Sequence, residues 1–171
     1  MENHSQKNWS MADISAKKTT RRVAIAGGRI VVGAEAFERI RDGRMPKGDP
    51  LVMAEVAGIQ AAKQTPSLIP LCHPISLNRV MVYPVMRPGD HSVELFCVAE
   101  IAEKTGVEME ALTGLSIALL TIWDLSKPVN PALEITGQRL IYKSGGKSGT
   151  WVSPEGMPDE VEQILSELGL L

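Results

Sequence analysis

The most constraining stretch of the chain runs from Thr105 to Lys127, where apolar side chains recur every three or four residues. That spacing is helical, and Pro128 ends the helix because proline disfavours a helical conformation in the residue before it. Thr105 and Glu108 have the spacing of a capping box, in which the two side chains satisfy free backbone donors at a helix start. The sequence therefore predicts a long, mostly buried helix over this stretch.

Two carboxylates of this helix are placed for an active site shared between subunits. Glu110 and Asp124 lie within about 40° of each other around the helix, yet roughly 21 Å apart along it. One small substrate cannot contact both, unless a second copy of the helix runs antiparallel to the first. Small residues at Ala111, Gly114 and Ala118 would allow close approach of the two copies. We therefore expect a symmetric oligomer, with a twofold contact as its simplest form.

A simpler interpretation of the same charges stays open. Asp124 and Lys127 are three residues apart, so an ordinary capped helix would present them as an exposed ion pair.

Composition limits the classes of protein to consider. The 171 residues are 44% hydrophobic and 22% charged, as expected for one globular domain, and the net charge of −2 does not favour nucleic-acid binding. The longest apolar run, residues 117–123, is too short to span a membrane. Cys72 and Cys97 make no disulfide framework, and no Cys/His cluster has zinc spacing. We expect a cytoplasmic protein with no metal site, no nucleic-acid partner and no membrane contact.

The order of predicted elements indicates an α+β fold. An entry strand is expected over residues 13–17 and 20–26, and it resumes at 30–32 after a break at Gly27 and Gly28. Further strands are expected at residues 79–86, 92–102 and 134–142. Helices are expected at residues 33–42, 50–64 and 105–127. Residues 79–102 form a hairpin with one buried face, and Pro84 suggests that its first strand lies at an edge. The pattern predicts a ferredoxin-like (split βαβ) antiparallel sheet with helices packed on one face, plus an extra C-terminal helix.

The same pattern divides the chain into three parts. Residues 1–12 form a flexible leader, residues 13–151 the main domain, and residues 152–171 a linker with an appended amphipathic helix.

Two segments before the hairpin can present polar groups to a ligand. Asp49 and Pro50 are a strong helix start, so Lys47 lies close to backbone amides that favour anions. Three prolines in residues 66–74 predict a stiff extended segment that presents Cys72 and His73. Lys47 as a solvated loop lysine, and His73 as a loop histidine bonded to backbone, are alternatives that stay open.

A glycine-rich basic loop follows the last predicted strand. Residues 143–149, KSGGKSG, contain Lys143 and Lys147 among three glycines. The spacing is not that of a Walker A motif, but backbone N–H groups and two ammonium groups can surround an anion. A flexible surface loop explains the composition equally well.

The amino-acid sequences of three segments resemble those of the MoaC family, the cyclic pyranopterin monophosphate synthases of molybdenum cofactor biosynthesis. The segments are KGDPLVMAEVAGIQAAKQTPSLIPLCHP from Lys47, KTGVEMEALTGLSIALLTIWDLSK from Lys104, and KSGGKSG from Lys143. The resemblance covers about residues 12–149. It implies a lyase that rearranges 3′,8-cyclised 7,8-dihydro-GTP into cyclic pyranopterin monophosphate and releases diphosphate. It also implies a hexamer, a trimer of dimers with active sites between subunits.

The resemblance further implies roles for individual residues, and it makes residues 13–151 the catalytic domain. The catalytic group comprises Lys47, Asp124 and Lys127; the substrate-binding group comprises Leu71, Cys72, His73, Met109 and Glu110 for the ring, Glu108 as an additional carboxylate, and Lys143, Lys147 and Arg22 for the triphosphate. The sequence shows no required cofactor. Mg²⁺ can accompany the triphosphate, but no dedicated carboxylate cage for it is visible, so the sequence does not decide whether the ion takes part.

Some features depart from the family pattern. Trp123 stands where a tyrosine is common, and Pro128 follows Lys127 directly. The family does not explain the tail from Val152, for which an oligomer clasp and the start of a fusion partner are two interpretations. The alternative function is a non-catalytic ferredoxin-like module that binds a phosphorylated nucleotide or pterin as a regulator. Such a module would need the basic loops but not Asp124 together with Lys127. An RNA-binding module is disfavoured because the strand aromatics of that class are missing.

Overall fold

A computed structural model describes residues 9–171 and shows an α+β fold built on one sheet. The elements, in chain order, are β1 (Thr20–Val31), α1 (Ala34–Arg41), α2 (Pro50–Lys63), α3 (Thr65–Leu68), β2 (Arg79–Arg87), β3 (Ser92–Glu103), α4 (Glu108–Ser126), β4 (Glu134–Ser144), β5 (Trp151–Val152) and α5 (Asp159–Glu167). The sheet order is β2-β3-β1-β4-β5, and all neighbouring strands are antiparallel. The ferredoxin-like prediction is confirmed, as is the edge position of β2, the strand that contains Pro84.

The main core lies between one face of the sheet and helices α1, α2 and α4. Alternate residues of β3, from Val93 to Ile101, point into it, as the period of two in a strand requires. Phe96 and Val98, on the opposite face of β3, are also fully buried because α5 covers them. The prediction that the hairpin has one buried face is therefore wrong.

The C-terminal helix α5 packs on the sheet face opposite α2 and α4. Its apolar stripe is buried against β1, β3 and β4, and consists of Val161, Ile164, Leu165 and Leu168. Arg87 of β2 forms an ion pair with Glu160 at 2.6 Å, and Arg21 Nη2 donates to the Leu168 carbonyl at 3.1 Å. The tail thus covers the chain's own sheet. The division at residues 12 and 151 into leader, catalytic domain and tail stays a prediction, and residues 1–8 of the leader lie outside the described residues.

Gly27 and Gly28 do not interrupt β1, which pairs with β3 over its whole length. The predicted bulge occurs only against β4, where the register shifts at these residues. A Cβ atom at Gly28 would lie 3.2 Å from both the Cα of Gln138 and the side chain of Leu119. The glycines therefore let β4 and α4 approach the central strand closely.

The start of α4 differs from the prediction. The helix begins at Glu108, its N-cap is Val107, and no side chain caps it. Glu108 instead accepts a hydrogen bond from Lys143 Nζ at 2.9 Å. The capping box is wrong because a tertiary ion pair takes the carboxylate that the local motif would use. By contrast, Asp49 caps α2 as predicted and accepts from the backbone N–H groups of Leu51 and Val52.

Helices α2 and α4 pack closely through small residues. A Cβ atom at Gly114 would lie 3.0 Å from the Gly58 carbonyl oxygen and 2.8 Å from the Cys97 sulfur. Ala111 and Ala118 are completely buried in the main core of the same chain. The small residues of α4 therefore serve packing within one chain, and the prediction that they form a subunit contact is wrong.

Helix α4 is the one helix of residues 9–171 that is long and apolar enough to cross a membrane. Half of the segment is buried inside the domain, as in a core helix.

Two irregular segments also differ from the prediction. Residues 13–17 form a turn rather than a strand, because the Asp13 carboxylate accepts from the Ser15 N–H at 2.8 Å. The proline-rich segment begins as the short helix α3, in whose first turn Pro66 is tolerated, and only the part from Cys72 onward is irregular and extended.

Candidate active site

The antiparallel packing of α2 on α4 decides which loops meet at each end of α4. The loop before α2 reaches the C-terminal end of α4, where Lys47 meets Asp124. The segment after α3 reaches the N-terminal end, where Cys72 and Met109 line one cavity. Candidate residues therefore gather at both ends of one helix.

The first cavity, which we call the ring pocket, has a volume of about 330 Å³. All five residues expected to bind the ring line it: Leu71, Cys72, His73, Met109 and Glu110. Leu71 and Met109 are partly exposed, with 47% and 38% of their surface accessible, and offer apolar surface to a flat ring.

Glu110 is a buried ionisable side chain in the ring pocket. Only 3% of the residue is exposed, and this burial, with a smaller contribution from Glu108, raises the pKa of Glu110 to about 7. Burial, together with the charge of Glu110, also raises the pKa of the Cys72 thiol. Near neutral pH the pocket therefore holds a protonated thiol and a carboxyl that can either donate or accept a hydrogen bond.

His73 is fixed by a backbone contact. Its Nε2 lies 2.8 Å from the carbonyl oxygen of Ala12, which also lines the ring pocket. Because a carbonyl only accepts, Nε2 carries the proton and Nδ1 is the acceptor in the neutral ring. His73 is thus both a backbone-bonded loop histidine and a wall of the pocket.

The second cavity, the anion cradle, adjoins the ring pocket and has a volume of about 140 Å³. Arg22, Lys143 and Lys147 line it, as predicted. Glu108 and Gly106 line both cavities and form their common wall. Burial alone would raise the pKa of Glu108, but the hydrogen bond from Lys143 and nearby positive charges outweigh it, so the pKa is lowered.

The third group lies at the C-terminal end of α4. Lys127 Nζ is 2.7 Å from Asp124 Oδ1, and Lys47 Nζ is 3.5 Å from Asp124 Oδ2. The hydrogen bond from Lys127, followed by the charges of Lys127 and Lys47, lowers the pKa of Asp124. The structure therefore brings the three predicted catalytic residues together, around a carboxylate that is ionised at neutral pH.

Within one chain, the catalytic group does not meet the two pockets. Glu110 and Asp124 are fourteen residues apart on α4, which is roughly 21 Å along a helix. Large apolar side chains are exposed near this helical layer, and include Val52, Met53, Val56, Leu68 and Leu120. Such a surface is typical of an interaction site.

Comparison with known proteins identifies the family. Residues 11–146 match the model of the MoaC family. The chain belongs to the MoaC family. It is 46% identical over 143 residues to a cyclic pyranopterin monophosphate synthase of Desulfitobacterium hafniense, covering 83% of this chain and 86% of that protein.

Further relatives of the MoaC family carry the same name. The synthase of Pelobacter propionicus is 45% identical over 149 residues, covering 87% of this chain and 93% of the relative. That of Novosphingobium aromaticivorans is 47% identical over 146 residues, covering 85% and 91%. Helix α5 lies beyond the part of the chain that the family model matches.

The departures at Trp123 and Pro128 leave the predicted catalytic group together. Trp123 is partly buried and packs against the main core. The Lys127 N–H donates to the Trp123 carbonyl at 2.9 Å, so helical bonding continues up to Pro128. The ion pair between Asp124 and Lys127 forms in this setting.

Some residues of the site were not predicted. Ala12, Ile75, Thr105 and Gly106 line the ring pocket in addition to the expected residues. Thr105 and Gly106 come three and two residues before Glu108, so their place next to the start of α4 is a usable signal in the sequence. Ala12 reaches the pocket only through tertiary folding. In the part of the chain that the structure describes, no group of three or more His, Cys, Asp or Glu side chains is placed to hold a metal.

Proposed function

We propose that this MoaC-family chain is a lyase that converts 3′,8-cyclised 7,8-dihydro-GTP into cyclic pyranopterin monophosphate and diphosphate. The relatives named cyclic pyranopterin monophosphate synthase support this activity over the regulatory alternative. One structural observation carries the proposal: a pocket for a ring and a cradle for an anion share a wall at Glu108. A substrate that joins a purine-derived ring to a triphosphate requires such neighbouring pockets.

The ring pocket would recognise the polar edge of the substrate ring. The carboxyl of Glu110, with its pKa of about 7, can donate to or accept from a ring nitrogen or carbonyl. Because the pocket is partly apolar and Glu110 is buried, water competes weakly for these hydrogen bonds. His73 would offer Nδ1 as an acceptor, or would release the Ala12 carbonyl to donate through Nε2.

The anion cradle would bind the triphosphate. Lys143 and Lys147 provide ammonium groups, and the glycines between them leave backbone N–H groups accessible. Lys143 is paired with Glu108 in the free protein, so substrate phosphate would replace or join that carboxylate.

The catalytic group would supply proton transfers and charge stabilisation. Asp124, held ionised by two lysines, would act as a base, and Lys127 as the matching acid. In the phosphoryl step a ribose-derived hydroxyl loses its proton and attacks the α-phosphorus, and the bond to the bridging oxygen breaks as diphosphate leaves. Lys47 would stabilise the negative charge that develops on the phosphate oxygens.

We propose a homo-oligomer in which each site combines two chains. The separation of Glu110 from Asp124 supports an antiparallel pairing of two α4 ends, since one chain alone leaves the pockets and the catalytic group apart. Apolar side chains of α2 and α4 are exposed, which supports the proposal that the surface of these two helices forms the contact between subunits. The family resemblance extends this dimer to a hexamer, a trimer of dimers.

Three further properties belong to the proposal. Glu108, the carboxylate that lines the anion cradle, is already paired with Lys143 and is not free to bind a cation. Any Mg²⁺ would therefore arrive bound to the triphosphate. The absence of aromatic side chains from the lining of the cradle favours a small anion over nucleic acid. We place the activity in the cytoplasm, in keeping with two unpaired cysteines.

Turnover of the cyclised substrate tests the proposal directly. The purified protein is incubated with 3′,8-cyclised 7,8-dihydro-GTP, and diphosphate and pterin are followed, with GTP as the control substrate. We expect both products in equal amounts, and their loss in Asp124→Asn while substrate binding is retained. Tight binding without turnover in the unmodified protein would instead support the regulatory module.

A further inference from the structure

Arg22 of β1 is expected to bind phosphate, but two of its three guanidinium nitrogens already donate to the protein backbone. Its Nε donates to the carbonyl oxygen of Glu103 at 3.0 Å, and its Nη2 donates to that of Lys104 at 3.3 Å. These carbonyls lie at the end of β3 and in the short loop that leads into α4. The planar fork of the guanidinium is therefore fixed by two main-chain contacts.

The guanidinium also supports the glycine loop. A Cβ atom at Gly146 would lie 2.5 Å from Arg22 Nη1 and 2.9 Å from both Cζ and Nη2, so the backbone of Gly146 rests directly on the guanidinium. Gly145 and Gly146 both have positive φ angles, 97° and 75°, and a Cβ at Gly145 would overlap the Arg21 carbonyl. Only glycine accommodates this approach without strain.

These contacts join the two loops that form the anion cradle. One loop, residues 103–107, contributes Gly106, which lines both pockets. The other, residues 143–149, carries Lys143 and Lys147. Arg22 lies between them and contacts both.

We propose that Arg22 is a positioning residue that holds the glycine loop against the loop before α4, and so sets the spacing of the two lysines that bind the substrate's phosphates. This role deepens the proposed function and rests on it for the identity of the anion. It differs from direct binding in one physical consequence: loss of the guanidinium releases the glycine loop even when no anion is bound. Lysine keeps the charge but cannot bridge two carbonyls and present a flat surface to Gly146.

Limited proteolysis tests the anchoring without reference to activity. Trypsin cleaves after lysine, so the rates of cleavage after Lys143 and Lys147 report how often the glycine loop leaves its support. We expect Arg22→Lys to accelerate both cleavages at least tenfold. The matched control is Arg29→Lys, on the same strand but paired with Asp90 away from the cradle, and it should cleave like the unmodified chain. Equal cleavage rates in Arg22→Lys and the control would overturn the anchoring role.

Binding of inorganic triphosphate tests whether the charge of Arg22 is sufficient. We expect Arg22→Lys and Arg22→Ala to weaken binding by a similar factor, about tenfold, because either change frees the glycine loop and so costs about one charge-assisted contact between a loop lysine and the anion. Near-normal binding in Arg22→Lys with weak binding in Arg22→Ala would show that charge alone matters and would overturn the proposal. Circular dichroism and thermal melting confirm that each variant is folded.

A double-mutant cycle with Gly146→Ala completes the test. If Arg22 acts through the loop, the double variant Arg22→Lys with Gly146→Ala should bind triphosphate no more weakly than the worse single variant. Additive losses would assign Arg22 an independent contact and contradict positioning. In turnover, KM should rise about tenfold in Arg22→Lys while kcat changes less than twofold. If the unmodified chain binds triphosphate but does not convert the cyclised substrate, the lyase proposal fails and the positioning role stands. If it converts the substrate but does not bind triphosphate, the lyase stands and the positioning role is overturned.

Discussion

Two carboxylates on α4 have pKa values shifted in opposite directions by their surroundings. Burial raises the pKa of Glu110 to about 7, whereas Lys127 and Lys47 lower that of Asp124. Near pH 7 Asp124 is therefore ionised and able to accept a proton, while Glu110 is present in both its protonated and its ionised form. Environments that separate the pKa values of two acids in this way are typical of acid and base roles in enzymes.

The raised pKa of Glu110 predicts a pH-dependent stability. The unfolded chain loses the Glu110 proton near pH 4.5, whereas the native chain keeps it up to about pH 7. The stabilising effect is complete below pH 4.5 and is lost as the pH rises towards 7. Urea unfolding at pH 5 and pH 8 should therefore show the free energy of unfolding falling by about 2 to 3 kcal/mol more in the unmodified protein than in Glu110→Gln.

Glu108→Gln is the matched control for this prediction. The pKa of Glu108 is lowered, so its contribution is present above its ordinary value and is lost only as the pH falls. Between pH 5 and pH 8 this variant should keep a nearly constant offset from the unmodified protein, changed only by the smaller contribution that Glu108 makes to the raised pKa of Glu110. A constant offset for Glu110→Gln as well would contradict the raised pKa.

The sequence placed Glu110 on the correct helix face but could not give its burial. That burial comes from the segment after α3 and from the segment around Ala12, which close the ring pocket from distant parts of the chain. Similarly, the pairing of Lys143 with Glu108 joins residues 35 positions apart and removes the local capping box. Local motifs identify the chemical groups, whereas tertiary contacts decide their partners.

At the scale of elements, the contact between α2 and α4 positions both ends of the site, and Gly114 makes it possible. Gly114→Ala would place a methyl group 2.8 Å from the Cys97 sulfur and 3.0 Å from the backbone of α2. We expect a net loss of about 1 to 2 kcal/mol in the free energy of unfolding, because overpacking outweighs the gain in helix propensity. Gly89→Ala, in a turn with no atom within 4 Å of the added methyl, should change stability by less than about 0.5 kcal/mol. Equal effects of the two substitutions would contradict close packing of the helices.

Helix α5 offers a second test at this scale. Its apolar period was visible in the sequence, but the surface that it covers was not, because the opposite face of β3 was expected to be open to solvent. Leu165 is completely buried against that face. Leu165→Ala should lower the free energy of unfolding by about 2 to 4 kcal/mol in chemical denaturation. Leu171→Ala, at a residue 72% exposed, should have almost no effect. A small loss for Leu165→Ala would argue that α5 is only loosely attached.

The sequence predicts the features that depend on local chemistry and misses those that depend on tertiary contacts. The positions of strands β2 and β3 and the capping of α2 by Asp49 follow from alternation and local chemistry, and the structure agrees with them. The small residues of α4 were assigned to a subunit contact because a sequence does not say which neighbour a helix has. In the fold α2 is that neighbour, so Gly114 is already covered.

At the scale of the whole molecule, a site shared between two chains has a consequence that a site within one chain lacks. In a twofold dimer, one site takes Glu110 from the first chain and Asp124 from the second, and the other site takes the reverse pair. A hybrid of Glu110→Ala with Asp124→Ala then collects both defects in one site and leaves the other intact.

Mixing the two inactive variants should therefore restore activity. Random exchange makes half of the dimers hybrid, each with one intact site of two, so about a quarter of normal turnover should return after unfolding and refolding the mixture together. The matched control mixes Asp124→Ala with Lys127→Ala, whose defects lie at the same end of α4, so that every hybrid site is damaged and no activity should return. Native mass spectrometry establishes that hybrids form in both mixtures. Hybrids of Glu110→Ala with Asp124→Ala that remain inactive would place each site within a single chain, and the roughly 21 Å along α4 would then have to be bridged by a large movement of the loops.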